Sequence, residues 1–145
     1  MHKKIAIVAT SRTAMGSFQG TLSNLSAPQF GAVVIKETVQ RAGINTETID
    51  EVIMGCVLPA GLKQGPARQA MRLSGISDHV GVTTINKICG SGMKAVMQAT
   101  DAIKVKSANL IIAGCMESMS NAPYLMDKAR AGFRMGHGKV TGHIF

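Results

Sequence analysis

Two kinds of hydrophobic pattern alternate along the chain. Short continuous runs of apolar or β-branched residues have the length and composition of buried strands, and they occupy residues 5–9, 51–57, 82–86 and 109–114. Stretches with helix signals lie between them, at residues 26–41, 66–74 and 90–106. Strands and helices that alternate at these lengths suit right-handed crossover connections, so the pattern predicts an α/β layered fold with a mainly parallel sheet.

The first two predicted helices carry clear start and stop signals. Ser26 and Gln29 form a capping-box pattern, and Pro28 lies in the first turn. Gly43 follows the first helix and Gly75 follows the second, each at the position of a C-terminal glycine cap. These signals predict two helices with defined ends.

The helix predicted over residues 90–106 differs from the other two in composition. Apolar side chains form one stripe and alanines fill much of the remaining surface, so the first half is apolar nearly all round; the stripe contains Met93, Val96, Met97, Thr100 and Ile103. We expect the first half of this helix to be buried. Periodicity stops after residue 114, so residues 115–145 are predicted to be either an irregular loop region or a segment that lacks its packing partner.

Length, composition and charge limit the possible classes of protein. The 145 residues suffice for one domain at most, 46% of them are hydrophobic, and no run approaches the roughly 18 apolar residues of a membrane span. The net charge of +8 suggests an anionic partner, but it is spread along the chain and aromatic residues make up only 3%. We therefore expect neither nucleic-acid nor membrane binding, and favour a polyanionic small ligand such as a nucleotide-bearing cofactor.

The cysteines and histidines indicate a reduced chain without a metal site. Cys56, Cys89 and Cys115 are odd in number, lack Cys-x-x-Cys spacing and follow no signal peptide, so we expect a cytoplasmic protein. Four scattered histidines lack the spacing of zinc ligands; they are His2, His79, His137 and His143. For Cys56 and Cys115 the expected role is packing as small buried hydrophobes.

Cys89 lies where a predicted strand turns directly into the long helix, in Asn86-Lys-Ile-Cys89-Gly-Ser-Gly92. Unpaired amides and the positive end of the dipole at a helix N-terminus favour a thiolate over a thiol, and the same amides can hold an oxyanion during acyl transfer. Gly90 and Gly92 permit a tight turn and a close approach of ligand to backbone. Nucleophilic chemistry at Cys89 and simple packing of a buried cysteine remain alternatives at this point.

A dinucleotide-binding fingerprint competes for the same residues. Gly90-x-Gly92-x-x-Ala95 follows a predicted strand and opens a helix, and Glu117 is a candidate ribose ligand. The pattern follows the third predicted strand instead of the first, and Glu117 comes later than the usual spacing. We therefore disfavour NAD binding, and the residues that would bind a cofactor stay unknown.

Four stretches together resemble the thiolases, the acetyl-CoA acetyltransferase family. They occur in the family's order and cover nearly the whole chain: Arg12-Thr-Ala-Met-Gly-Ser-Phe18, Val57-Leu-Pro-Ala-Gly61 with Pro66-Ala-Arg-Gln-Ala70, Thr84-Ile-Asn-Lys-Ile-Cys89-Gly-Ser-Gly-Met-Lys-Ala, and Met116-Glu-Ser-Met-Ser-Asn-Ala-Pro-Tyr124. The third stretch resembles the nucleophile segment of the family. The resemblance implies a thiolase-like layered fold with helices on both faces of the sheet.

The resemblance also implies a reaction. Cys89 would accept an acyl group from acyl-CoA as a thioester, with its backbone amide in the oxyanion site. The enolate of a second acetyl-CoA would then form acetoacetyl-CoA, or CoA would cleave a 3-ketoacyl-CoA in the reverse direction, as in fatty acid metabolism. CoA and acyl-CoA would be substrates, with no tightly bound cofactor. The full-length protein would be a homo-oligomer, a tetramer by family.

Several family motifs are missing or altered in this chain. Cys115 replaces a usual glycine, Gly142 replaces a frequent acid, and His137 lies in Gly-His-Gly, which predicts a loop residue. The activating His of Gly-His-Pro, the second Cys of Cys-x-Gly-Gly-Gly and the Asn of Asn-Glu-Ala-Phe do not occur. We therefore expect residues 1–114 to be a partial N-terminal domain and residues 115–145 the start of the loop region, with the C-terminal domain absent. The alternative to an enzyme is a non-catalytic truncated thiolase fragment that acts as a binding or oligomerisation module.

Overall fold

The computed structural model describes residues 4–144, which fold around a three-stranded parallel sheet. The strands are β1 (Glu51–Gly55), β2 (Gly81–Ile85) and β3 (Ile111–Cys115), and β1 lies between the other two. Val52 of β1 is in register with Val82 of β2 and Ile112 of β3. Three of the four predicted strands are therefore confirmed, with ends that shift by one or two residues.

Helices cover both faces of this sheet, so the layered α/β architecture is confirmed. The helices are α1 (Ala27–Ala42), α2 (Pro66–Leu73) and α3 (Ser91–Lys104). Residues of α1 and α2 pack against Val52 and Met54 on one face of β1, whereas α3 packs against Ile53 on the other face. Both faces of β1 are buried, as expected for a central parallel strand.

The predicted helix caps form as expected. Gln29 Oε1 accepts a hydrogen bond of 2.8 Å from the backbone N–H of Ser26, which completes the capping box of α1. Gly43 has φ of 62° and ends α1, and Gly75 has φ of 89° just after α2. Glycine adopts this left-handed conformation without a Cβ clash, so these two helix ends follow from local sequence alone.

The strand predicted over residues 5–9 is wrong. The segment belongs to no strand, and Ile7 and Val8 are 76% and 67% exposed. A strand needs a partner backbone for its N–H and C=O groups, and no strand within residues 4–144 pairs with this run. An apolar run predicts the tendency to form a strand but cannot supply that partner.

The burial predicted for the first half of α3 is also wrong for its bulky stripe. Met93 is 73% exposed and Met97 is 50% exposed, whereas Ala95 and Ala99 are buried against the sheet. The helix approaches β1 closely where it begins, since a Cβ added to Gly55 would lie 2.6 Å from Ser91 Cβ, and the alanines pack against Ile53 of β1. The helix itself was correctly predicted, but it turns its alanine face to the core.

Residues after β3 are mostly irregular and exposed, in agreement with the predicted loop region. A short 3-10 helix (Met119–Asn121) is followed by an antiparallel ribbon of β4 (Tyr124–Met126) and β5 (Val140–Gly142). No helix within residues 4–144 is both long and apolar enough to cross a membrane.

Candidate active site

Cys89 lies in the turn that joins the end of β2 to the start of α3. The thiol is free and exposed, and Gly90 occupies the N-cap position of α3. The first N–H groups of a helix have no intrahelical acceptor, and the helix dipole adds positive potential at this end. The structure therefore places Cys89 at the predicted strand-to-helix junction, and burial as a small hydrophobe is excluded for it.

The turn around Cys89 is held by a dense set of hydrogen bonds. Its neighbours donate within the turn: the N–H of Lys87 to Ser91 Oγ (2.8 Å), that of Ile88 to Asn86 Oδ1 (2.9 Å), that of Gly90 to Lys87 O (3.0 Å) and that of Ser91 to Ile88 O (3.0 Å). These four N–H groups are thus occupied by the fold.

Backbone contacts tie the ends of the three strands to one another near Cys89. The N–H of Cys56 donates to Ile85 O, and the N–H of Met116 donates to Gly55 O, both at 3.0 Å. Carboxyl ends of parallel strands are the usual place for ligand sites in α/β sheets. The candidate site is therefore an edge built from the loops that follow β1, β2 and β3.

Cys115 ends β3 and is exposed, so its predicted burial is wrong. Its side chain lies against the first turn of α3: a Cβ added to Gly92 would be 2.8 Å from Cys115 Sγ. A strand-end residue faces the loops beyond the sheet, which explains why an apolar run does not bury it. A second free thiol thus lies beside the helix that begins after Cys89.

Glu117 joins the loop after β3 to the loop after β1. Its carboxylate accepts hydrogen bonds from the N–H groups of Val57 (2.7 Å) and Leu58 (3.2 Å), and Cys56 Sγ lies 3.7 Å from Oε1. In the dinucleotide fingerprint, Glu117 would have to bind a ribose hydroxyl. Here its carboxylate oxygens already accept backbone hydrogen bonds. Glu117 is a structural clamp, a role that sequence reasoning missed.

Cys56 is a packing residue, as predicted. Its side chain is buried in the core, and burial, followed by the nearby Glu117 carboxylate, raises the pKa of this thiol to about 12. A thiol with so high a pKa is a poor nucleophile near neutral pH. Among the three cysteines, Cys56 is therefore the one least suited to chemistry.

No histidine among residues 4–144 hydrogen-bonds to Cys89. His137 is exposed in the loop between β4 and β5, as predicted, and His143 Nε2 accepts a 3.4 Å hydrogen bond from the N–H of Ala60. His79 contacts Ser77 and Glu47; His2 lies outside the described residues. Across the described part of the chain, no three His, Cys, Asp or Glu side chains could jointly hold a metal ion.

The loop between β4 and β5 encloses a shallow cavity of about 490 Å³. Basic side chains line it, among them Lys128, Arg134 and Lys139, with Asp127 as the one acid of the lining. A concentration of positive charge in a concave surface favours anionic ligands. This cavity therefore combines a concave shape with a mainly basic lining.

Sequence reasoning missed Asn86 and Ser91 as the residues that hold the turn. The signal was present, because an Asn or Ser side chain often bonds backbone groups two or three residues away. The spacing alone does not show that both side chains converge on Lys87 and Ile88, which depends on how α3 meets β2.

This chain is similar in sequence and in fold to known thiolases. The family model for the thiolase N-terminal domain matches residues 5–145. Acetyl-CoA acetyltransferase of Escherichia coli strain K12 is 53% identical over 95% of this chain, and that of Cupriavidus necator is 50% identical over 94%. The chain spans 35% of the length of each of these relatives.

A solved structure shows the same likeness in three dimensions. The Acat5 thiolase from Ascaris suum, solved in complex with coenzyme A, superposes with a TM-score of 0.91 and 38% sequence identity. The match covers 95% of this chain and 36% of that one. On the family model, the sequence identities and this superposition, the chain belongs to the thiolase family, of which it represents the N-terminal domain region.

Proposed function

We propose that this protein is a thiolase-type acyltransferase in which Cys89 is the nucleophile. The observation that carries the proposal is the exposed thiol of Cys89 at the N-terminus of α3, within the segment that resembles the family's nucleophile segment. Cys89 Sγ attacks the carbonyl carbon of acyl-CoA while the N–H of Cys89 stabilises the oxyanion. A new C–S bond forms to Cys89, the C–S bond to CoA breaks, and CoA leaves as a thiolate that takes up the proton of the nucleophile.

The proposed second half-reaction uses the acyl-enzyme. An enolate formed by loss of a C2 proton from a second acetyl-CoA attacks the thioester carbon. A C–C bond forms, the C–S bond to Cys89 breaks to release acetoacetyl-CoA, and the proton lost from acetyl-CoA restores the Cys89 thiol. In the reverse direction, Cys89 Sγ attacks the 3-keto carbon of a 3-ketoacyl-CoA and the bond between C2 and C3 breaks, so that acetyl-CoA leaves once its enolate is protonated. The thiol of CoA then attacks the acyl-Cys89 thioester, which releases acyl-CoA and the Cys89 thiol. The residues of this chain account for the covalent intermediate, and the proposal for the complete cycle rests on the family alone.

Charge supports CoA and acyl-CoA as the substrates of the proposed reaction. The net charge is +8, and Lys128, Arg134 and Lys139 line the cavity in the loop between β4 and β5. Phosphates of CoA suit such a surface. CoA acts here as a substrate and not as a tightly bound cofactor. The proposal includes a cytoplasmic location, which three free cysteines support, and self-association of the protein into a homo-oligomer.

Acetylation of the 145-residue chain tests the half-reaction. Incubation with acetyl-CoA is expected to add one acetyl group, which peptide mass spectrometry locates on Cys89. Cys89→Ala is expected to abolish the adduct, and Cys115→Ala is the matched control because it removes another exposed thiol and leaves Cys89 in place. If Cys89 gains no acetyl group, the 145-residue chain does not carry out the proposed half-reaction.

Exposed apolar side chains favour a second candidate, the non-catalytic binding or oligomerisation module. Ile7, Val8, Met93 and Met97 are all half or more exposed, and large exposed apolar patches mark association surfaces. Light scattering after size-exclusion chromatography distinguishes the candidates: a monomer that is acetylated at Cys89 contradicts the module, whereas a stable oligomer without acetylation supports it.

A further inference from the structure

Ile88, the residue before Cys89, has an unfavourable backbone conformation. Its φ is 49°, in the left-handed region that β-branched residues rarely adopt. Ile88 is 69% exposed, so packing against its side chain does not hold the conformation in place. Strained backbone persists only where neighbouring groups over-determine it, and the turn must therefore be held by its hydrogen bonds.

Asn86 holds the turn from the side of the sheet. Its Oδ1 accepts a 2.9 Å hydrogen bond from the N–H of Ile88, and its Nδ2 donates a 3.2 Å hydrogen bond to Val57 O. Val57 is in turn fixed by Glu117, whose carboxylate accepts its N–H at 2.7 Å. Asn86 therefore connects the strained residue to the clamped loop after β1.

Ser91 holds the same turn from the side of the helix. Its hydroxyl accepts a 2.8 Å hydrogen bond from the N–H of Lys87 and donates a 2.7 Å hydrogen bond to Ile88 O. Ser91 is only 3% exposed and is the buried polar side chain of the described core. A buried hydroxyl is costly unless it is fully bonded, so this one has both a donor and an acceptor role in the turn.

We propose that Asn86 and Ser91 are positioning residues that hold the left-handed turn at Ile88 and thereby present Cys89 at the N-terminus of α3. The two side chains bind both polar backbone groups of Ile88, its N–H and its C=O. Without either one, the residue relaxes towards negative φ, which moves the following thiol away from the helix axis. The inference rests on the proposed role of Cys89 as nucleophile, but thiol reactivity tests it without any acyl-CoA.

The test is the rate at which iodoacetamide alkylates Cys89 in the 145-residue chain, followed by peptide mass spectrometry. Asn86→Ala and Ser91→Ala are each expected to slow the alkylation of Cys89 about ten-fold, as loss of a bonded pair in a strained turn implies. Alkylation of Cys115 in the same sample is the internal reference. Cys56 is buried and stays protected while the chain is folded.

Matched controls remove the same kinds of hydrogen bond elsewhere. Asn45→Ala deletes an Asn Oδ1 that accepts from the N–H of Glu47, and Ser74→Ala deletes a hydroxyl that donates to Met71 O. Both variants are expected to leave Cys89 alkylation unchanged. The proposal is overturned if Asn86→Ala and Ser91→Ala also react at the rate of the unaltered chain.

The Ile88→Gly variant shows whether Asn86 and Ser91 act by positioning the turn or whether their loss simply unfolds the chain. Glycine adopts positive φ without strain, so the turn then needs less support. Each alanine variant combined with Ile88→Gly is expected to recover most of the lost alkylation rate of Cys89, with Cys56 still protected. A combined variant that recovers nothing, including one that exposes Cys56, contradicts the proposal.

Acetylation is measured on the same samples and keeps the two hypotheses apart. If the unaltered chain is not acetylated by acetyl-CoA, the proposed function fails, while the alkylation rates still decide the role of Asn86 and Ser91. If acetylation occurs and falls in parallel with alkylation in both alanine variants, both hypotheses are supported.

Discussion

Gly55 of β1 and Ser91 of α3 are in direct contact where the helix begins over the sheet. A Cβ added to Gly55 would lie 2.6 Å from Ser91 Cβ, closer than any side chain allows. The missing side chain at residue 55 lets the buried hydroxyl of Ser91 reach Lys87 N and Ile88 O. The geometry of the Cys89 turn thus depends on a glycine in a neighbouring strand.

Gly55→Ala is expected to destabilise the fold and to disturb the Cys89 turn. The added methyl group must push α3 away from β1, and overpacking of this kind costs about 1–3 kcal/mol. Urea unfolding followed by circular dichroism measures the loss. Gly81→Ala in β2 is the control, because its nearest neighbour would lie at 3.6 Å; equal stability of the two variants would contradict the prediction.

Gly92 and Cys115 are expected to be coupled energetically. Alanine normally stabilises a helix over glycine by about 0.5–1 kcal/mol, but a Cβ at Gly92 would lie 2.8 Å from Cys115 Sγ and 3.3 Å from its Cβ. Gly92→Ala should therefore destabilise the unaltered chain and stabilise the Cys115→Gly variant. A double-mutant cycle by urea unfolding measures this change of sign, and additive effects would show that the contact is absent.

The stability of the chain is expected to fall in alkaline solution because of Cys56. The pKa of this thiol is raised from 9.0 to about 12 in the folded state, first by burial and then by Glu117. Above pH 9.0 the unfolded chain loses the Cys56 proton while the folded state keeps it. The stabilisation by the protonated, buried thiol is therefore complete below pH 9.0 and is lost as the pH rises towards 12. The expected slope is about 1.4 kcal/mol per pH unit within that window.

Urea unfolding across this pH range, compared with Cys56→Ala, measures the contribution of the thiol alone. The difference in stability between the two proteins should shrink as pH rises above 9.0. Glu117→Gln removes the negative charge next to Cys56 and should lower the pKa of the thiol, so that stability falls over a narrower pH range. A difference that does not change with pH would show that Cys56 titrates normally.

Asp50 is expected to make stability depend on pH in acid. Backbone N–H groups of Asn109 and Leu110 donate to its Oδ2 at 2.6 and 3.0 Å, and these bonds lower the pKa of Asp50 below 3.8. The stabilisation by ionised Asp50 is complete above pH 3.8, its ordinary pKa, and is lost as the pH falls through the lowered pKa of the folded state. Thermal unfolding in acid should show a smaller loss of Tm for Asp50→Asn than for the unaltered chain. Asp101→Asn, which removes an exposed acid of α3, should behave as the unaltered chain does.

Local sequence was enough for the helix ends and for most of the sheet. The capping box of Ser26 and Gln29 and the left-handed glycines after α1 and α2 involve residues only a few positions apart. Their energies do not depend on the rest of the fold. The strand-to-helix position of Cys89 was predictable for the same reason, and the resemblance to thiolases added its proposed role.

Contacts between residues far apart in the chain decided the features that local sequence did not predict. The run at residues 5–9 lacks a strand partner, the alanines of α3 and not its methionines face β1, and Cys115 is exposed at a strand end. Apolar patterns show how strongly residues favour burial. Which face of a helix or strand is actually buried depends on which elements pack against it and how closely.

The sequence by itself determined the order of strands and helices, the helix caps and the position of the candidate nucleophile, because each depends on neighbours in the chain. Only the tertiary structure showed that Asn86 and Ser91 support the turn before Cys89, and that Gly55 and Glu117 make this support possible. Val57 contacts both Asn86 and Glu117, and Gly55 contacts Ser91, only when β1, β2 and β3 align side by side. The turn before Cys89 is therefore encoded locally but held in place by the sheet.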